Sequence, residues 1–397
     1  MKAARPHFAL FALALTIAAA TTPGLAQTGL SEWQQRVAPG TTRVPAKEAQ
    51  PKAPQAGAPK QAVKSQPVAP GTAPAAPLPG THKLPPAGKR QLGPATQPNE
   101  SFHTKTGGAS DPAYEAYDQG KYLTALELAK KAAEAGEPQA WTLIGRIHAE
   151  GLAVAQSYET AAQAYAKGAE LGDLEAAFSL GALYAQGLGV RKDFDKAATY
   201  FERAALKGHA LANYNLALLF LKGQGKAENP RRAFAHMMYA AEHGVVTAQY
   251  DLGTMLTVGT GTEPNAYEGA KWIGRAARAG HVEAEIEYAV ILFKLDGDPA
   301  NSDDAARLRA AHREALAYLI SAASKGNPVG QNRLARCYAN GLGTEVNLLE
   351  AAKWHFIAKD GGVDDPALEK LLAKLSRSDR QKAQIAADEW RDRSLVQ

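Results

Sequence analysis

Hydrophobic and small residues recur in a fixed register along the second three-quarters of this chain. Counted from Gly136, Gly172, Gly208, Gly244, Gly280 and Gly326, the positions 4, 8, 9, 11 and 12 residues later are apolar or small in nearly every copy, as in Ala176, Leu180, Gly181, Leu183 and Tyr184. These offsets fall on one face of a 3.6-residue helix. A second helical stretch follows in each copy and carries alanine pairs just before the next glycine, such as Ala204-Ala205, Ala240-Ala241, Ala276-Ala277 and Ala322-Ala323. The small residue at offset 9 (Gly145, Gly181, Ala217, Gly253, Ala289, Ala335) lets that second helix approach closely. The turn glycines stand 36 residues apart, with one interval of 46, and a further ladder (Gly151, Gly187, Gly223, Gly259) keeps the same step. One period shared by several registers predicts stacked copies of a helix pair (helix A, glycine loop, helix B, turn glycine). No copy can bury its apolar face alone, so stability comes from neighbours.

The pattern divides the chain. Asp111-Pro112 supplies an N-cap and a first helical residue, opening a helix pair over Tyr114–Gln119 and Tyr122–Ala135 that occupies 111–136. Six repeats cover 137–362. The ten extra residues fall in unit five, where Leu295–Asp304 reads as a loop and Ala305–Ser324 as an unusually long helix B. Residues 363–397 lack the repeat signature and predict two capping helices, Asp365–Leu375 and Ser378–Trp390, the second entered through a capping box at Ser378-Asp-Arg-Gln381. Units such as AAFSLGALYAQGLGVRKDFDKAATYFERAALKG resemble Sel1-like repeats, relatives of the tetratricopeptide repeat. The resemblance implies an all-α fold, a right-handed α/α superhelical solenoid with helices A lining the concave side. It also implies a broad functional range of adaptors and scaffolds, including exported bacterial regulators of envelope signalling, exopolysaccharide or surface assembly. The copies depart from the pattern at Gly-Leu-Ala-Val (151–154) and Gly-Gln-Gly-Lys (223–226).

Upstream the composition changes. The start MKAARPHFALFALALTIAAATTPGLAQ has Lys2 and Arg5 before an apolar run and small residues before Gln27, so residues 1–26 read as a cleavable signal peptide, with a periplasmic or secreted mature chain. Residues 27–110 hold 14 of the 23 prolines and few large apolar side chains, which predicts a disordered Pro/Ala-rich linker. One amphipathic turn, Leu30–Val37 with Trp33, interrupts it. The whole-chain charge of +5 conceals a division: 27–110 carries ten Lys/Arg against three Glu, a net +7, leaving 111–397 at −4. A mildly acidic solenoid argues against nucleic-acid binding. The single cysteine, Cys337, occupies the repeat column of Ile147, Leu183, Leu219, Met255 and Ile291 and reads as a small core residue, so no disulfide framework is available. No segment after the leader has the length of a membrane span.

The outer side of helix A, offsets 3, 6, 10 and 13, is where a concave groove would contact a partner. Its ends are polar (Gln139, Thr142 and Arg146; Asn332 and Arg336). Its middle carries Phe178, Leu211, Tyr214, Leu218, Leu221, Tyr250, Ile286, Val290 and Phe293. A helix apolar all round is either fully covered or presents a binding stripe, and the aromatics at offset 6 admit both readings. Arg307, Arg309 and Arg313 form a secondary basic cluster at the start of the long helix B. Enzymatic motifs are missing: no Gly-x-Ser-x-Gly, no Ser-x-x-Lys, no phosphate loop and no His-Glu-x-x-His. His236 and His243 lack a third ligand at metal spacing, and His209 and His281 follow turn glycines as a repeat feature. The expected function is therefore a non-enzymatic scaffold without a cofactor. It would bind a protein or peptide partner, such as the periplasmic part of a membrane sensor, with an envelope glycan as the alternative.

Overall fold

The computed structural model describes residues 111–297 and 301–394; the leader, the linker and the Leu30–Val37 turn lie outside the described residues. Within them the fold is all-α, sixteen helices and no strand. A leading pair, α1 (Pro112–Asp118) and α2 (Tyr122–Glu134), is followed by six A/B pairs. These are α3 (Pro138–Glu150) with α4 (Tyr158–Glu170), α5 (Leu174–Gln186) with α6 (Phe194–Ala205), and α7 (Ala210–Lys222) with α8 (Pro230–Glu242). Then come α9 (Val246–Val258) with α10 (Ala266–Arg278), α11 (Val282–Phe293) with α12 (Ser302–Ser324), and α13 (Pro328–Asn340) with α14 (Leu348–Asp360). Two further helices, α15 (Pro366–Leu372) and α16 (Arg377–Ser394), close the array. Each A helix packs on its own B helix, and each B helix on the next A helix, as a solenoid requires.

Local chemistry sets the helix ends. Every B helix of a repeat starts on a short polar cap in register: Ser157, Asp193, Asn229, Asn265, Asn301 and Asn347 each accept a backbone N–H from the first turn. The turn glycines then take left-handed backbone, with φ from +83° to +100° between Gly136 and Gly362. At the second cap, the box lies two residues before the sequence expectation. Ser376 Oγ accepts from the Asp379 N–H at 3.1 Å and donates to its carboxylate at 2.9 Å, starting α16 at Arg377 instead of Ser378.

Close approach within a pair depends on the small residue at offset 9. A Cβ added at Gly145 would meet the Tyr165 ring at 2.5 Å, and one at Gly181 would meet Phe201 at 2.8 Å. Between pairs, a second glycine sets the register. Gly189, Gly225 and Gly261 each lie so close to the carbonyl opening the preceding B helix (Tyr158, Phe194 and Pro230), and Gly343 to that of His312 inside α12, that a Cβ there would come under 3.0 Å. In unit one the equivalent residue is Ala153, held at φ +56°, the one non-glycine with positive φ among the described residues. These contacts also locate the insertion. Because Gly343 seats on His312, the ten extra residues are an N-terminal extension of α12, 23 residues against 13 in α10, which adds about 15 Å of helix. Cys337 is buried, and burial pushes its thiol up to about 12.

Candidate partner-binding face

The A helices bring the nine proposed groove residues to one side of the array but not to one depth. Phe178, Tyr214, Tyr250 and Ile286 are 4 to 9% exposed. Leu211, Leu218, Leu221, Val290 and Phe293 are half-buried. Of the two readings open for the aromatics at offset 6, packing between repeats accounts for their depth. Phe178 stacks on the His209 ring at 4.7 Å, and Tyr250 stacks on the His281 ring at 4.9 Å. Each histidine caps the following A helix through Nδ1, from the Ala212 N–H at 3.0 Å and the Ala284 N–H at 3.3 Å. A carboxylate or amide would cap as well; the imidazole adds a flat face for the neighbouring ring. Burial lowers the His281 pKa, with Glu283 and Glu285 opposing that shift and Lys325 adding to it.

A line of polar contacts runs between successive A helices. In units one to three, Glu175 faces Arg146 at 3.7 Å and His209 Nε2 at 3.1 Å. Burial works against its charge, but the bond to His209 and the Arg146 cation hold its carboxyl below the usual range. In units three to five the contact changes. The Tyr214 hydroxyl donates to Asp251 at 3.1 Å, and Tyr250 hydrogen-bonds Glu287 one repeat later. Burial raises Asp251 to about 6, with the Tyr214 bond acting the other way. Burial also raises Glu287, against the pull of Tyr250 and, more weakly, Arg333. At the last repeat Asp365 accepts from Arg336 Nε at 2.6 Å, Asn332 at 3.0 Å and the Leu368 N–H at 3.1 Å.

Sequence reasoning missed these Tyr–carboxylate rungs. Their signal was a separation of 37 residues, one repeat plus one position, shared by Tyr214/Asp251 and Tyr250/Glu287. In the basic cluster Arg307 is tied to the Asp296 carbonyl at 2.7 Å and to Asp304 at 3.2 Å, while Arg309 and Arg313 are exposed on α12. A cleft of about 740 Å³ lies at the loop of unit two, where Lys192 lies over Phe194 and Lys196 over Tyr184. Among the described residues no group of three or more His, Cys, Asp or Glu has metal-holding geometry, and no helix is long and apolar enough to cross a membrane.

Comparison with known proteins agrees with this architecture. No curated protein matches the chain in sequence. Among solved structures, a Sel1 repeat protein from Oxalobacter formigenes is similar at 29% identity and a TM-score of 0.52, over 65% of this chain and 99% of that one. A protective antigen present in uropathogenic Escherichia coli strains, described as having an SLR fold, is 20% identical with a TM-score of 0.44, over 67% of this chain and 71% of its own. The Sel1 repeat profile matches seven segments, 117–137, 142–173, 174–209, 210–245, 246–281, 282–327 and 328–363, the first of them inside the leading helix pair. With well over half its length matched in this way, the chain belongs to the Sel1 repeat family.

Proposed function

We propose that this protein is an exported, non-catalytic scaffold that binds a protein or peptide partner on the A-helix face of units three to five, in envelope signalling or surface regulation. Members of this repeat family typically act as protein-interaction scaffolds. The supporting observation is an apolar stripe, Leu211, Leu218 and Leu221 on α7 and Val290 and Phe293 on α11, half-buried and joined across α9 by Thr247, Thr254 and Thr257 at the same offsets. Rings packed between repeats hold the stripe rigid, so little ordering cost opposes binding. The leader read at 1–26 supports export, and the periplasmic part of a membrane sensor is a partner of the right kind.

A pull-down from envelope extract tests the reading. The full mature chain should retain a discrete protein that Leu218→Asp and Val290→Asp variants lose while keeping wild-type helicity. Retention on purified wall polymer, unaffected by either variant, would replace this reading with the glycan one.

A further inference from the structure

The A-helix face of units three to five carries two carboxylates whose surroundings are incomplete. Asp251 on α9 and Glu287 on α11 occupy the same repeat position on consecutive A helices, and both are half-buried beside the apolar stripe. Each receives one tyrosine hydroxyl from the preceding repeat. Among the described residues Asp251 forms no ion pair; it accepts the Tyr214 hydroxyl at 3.1 Å, and burial raises its pKa against that bond. Among the described residues Glu287 forms no ion pair, and Arg333, one repeat beyond it, pulls on its charge only weakly. The contrast within the same molecule is direct. Glu175 and Asp365, on the same side of the array, are each matched by an arginine. A neutral amide could also accept the tyrosine proton, through a weaker bond but without the desolvation that an ionised group suffers on half-burial. The negative charge is therefore a cost that one tyrosine bond offsets only in part.

Building on the A-face reading above, we propose that the occupant is a cationic, apolar-flanked peptide segment of a partner protein. Its lysine or arginine side chains reach Asp251 and Glu287 while its neighbouring apolar residues cover Leu218 and Val290. Guanidinium or ammonium groups would complete the two carboxylates with charge-assisted hydrogen bonds, and the stripe supplies the apolar contact that a charge pair alone lacks. The Tyr214–Asp251 bond shows that one side chain spans successive A helices, so two basic residues on one short segment can reach both carboxylates. Towards the ends of the face the carboxylates Glu175 and Asp365 are already matched by Arg146 and Arg336, which leaves its centre acidic and disfavours an acidic segment there.

Selection of a displayed random twelve-residue peptide library on the full mature chain tests this proposal, followed by fluorescence anisotropy of the enriched peptides. The expected result is enrichment of Lys or Arg next to Leu, Ile, Val or Phe. Affinity should fall at least tenfold in the Asp251→Asn/Glu287→Gln double variant, whose thermal melt should show no loss of stability. Glu268→Gln, an exposed-helix control on α10, should leave it unchanged. Peptides that lose binding to Leu218→Asp but stay within twofold on the double amide variant would overturn the cationic class and keep the A-face reading. Peptides indifferent to Leu218→Asp, or no enrichment at all, would overturn both. Enriched acidic peptides would overturn the proposal outright.

Discussion

Replacing Gly225 by alanine should loosen the junction between units two and three far more than the same change at Gly244. Both glycines have left-handed backbone, φ +66° and +84°, so each substitution carries the alanine penalty of about 1–2 kcal/mol for that conformation. Their surroundings differ. A Cβ at Gly244 meets nothing within 4 Å, while one at Gly225 would fall under 3.0 Å from the backbone carbonyl and amide that open α6, atoms held in a helix. Relieving that overlap moves one repeat against the next, a strain of about 1–3 kcal/mol by analogy with overpacked cores. The totals are then about 2–5 kcal/mol for Gly225→Ala and about 1–2 kcal/mol for Gly244→Ala. Urea denaturation followed by circular dichroism reads both. Because repeats couple to their neighbours, Gly225→Ala should also broaden the transition. Equal losses in the two variants would refute the assignment of inter-repeat register to the second loop glycine. Ala153 offers the reverse experiment: it already occupies this column at φ +56°, and Ala153→Gly should stabilise by about 0.5–1 kcal/mol after the entropy added to the unfolded chain.

Three further outcomes follow from the charged groups. Asp251 is raised to about 6, so the folded state holds its proton more tightly than the unfolded one. Its ionisation therefore costs stability above about pH 6, and that cost is relieved as pH falls towards 4. The shift bounds the effect at about 3 kcal/mol, and partial solvation reduces it to about 1–2 kcal/mol, so Asp251→Asn should raise the urea midpoint at pH 7.5 and leave it unchanged at pH 4. His281 behaves oppositely. With its pKa lowered by burial, its contribution is full above the unfolded value near 6.5 and declines as pH falls below it; a titration midpoint at or above 6.5 in the folded protein, measured by NMR, would contradict this. Asp365 is held down to about 2 despite burial, by Arg336, Asn332 and the Leu368 N–H. Its contribution should be present above about 3.8 and lost towards 2, and Asp365→Ala should cost about 2–3 kcal/mol and raise hydrogen exchange in α15. A cost no greater than that of an exposed charge would sink that role.

Much of the fold was legible because the repeat writes the same information several times. The turn glycines, the small residue at offset 9 and the polar caps of the B helices each recur at fixed offsets, and each has a local physical cause. The extra residues of unit five were legible as added helix, but their direction was not, since only the seating of Gly343 on His312 fixes it. The face was harder. Hydropathy placed Phe178, Tyr214, Tyr250 and Ile286 on the outer side of helix A. It could not tell that the next repeat covers them, because that cover comes from His209, Asp251, His281 and their helices one period away. The Tyr–carboxylate rungs went unseen for the same reason, as they join offset 6 of one copy to offset 7 of the next, and a search within single copies does not align those positions. The apolar stripe was legible only in part: Leu211, Leu218, Leu221, Val290 and Phe293 remain accessible where the larger rings do not.

Site-specific photocrosslinking in cells tests the A-face account most directly, with the crosslinker placed singly at 218, at 290 and at 206. Leu206 is 88% exposed at the end of a B helix and serves as an accessible position off the proposed face. The account predicts one shared protein adduct from 218 and 290 and none of that mass from 206. An adduct from 206 alone, or silence at both 218 and 290, would contradict it.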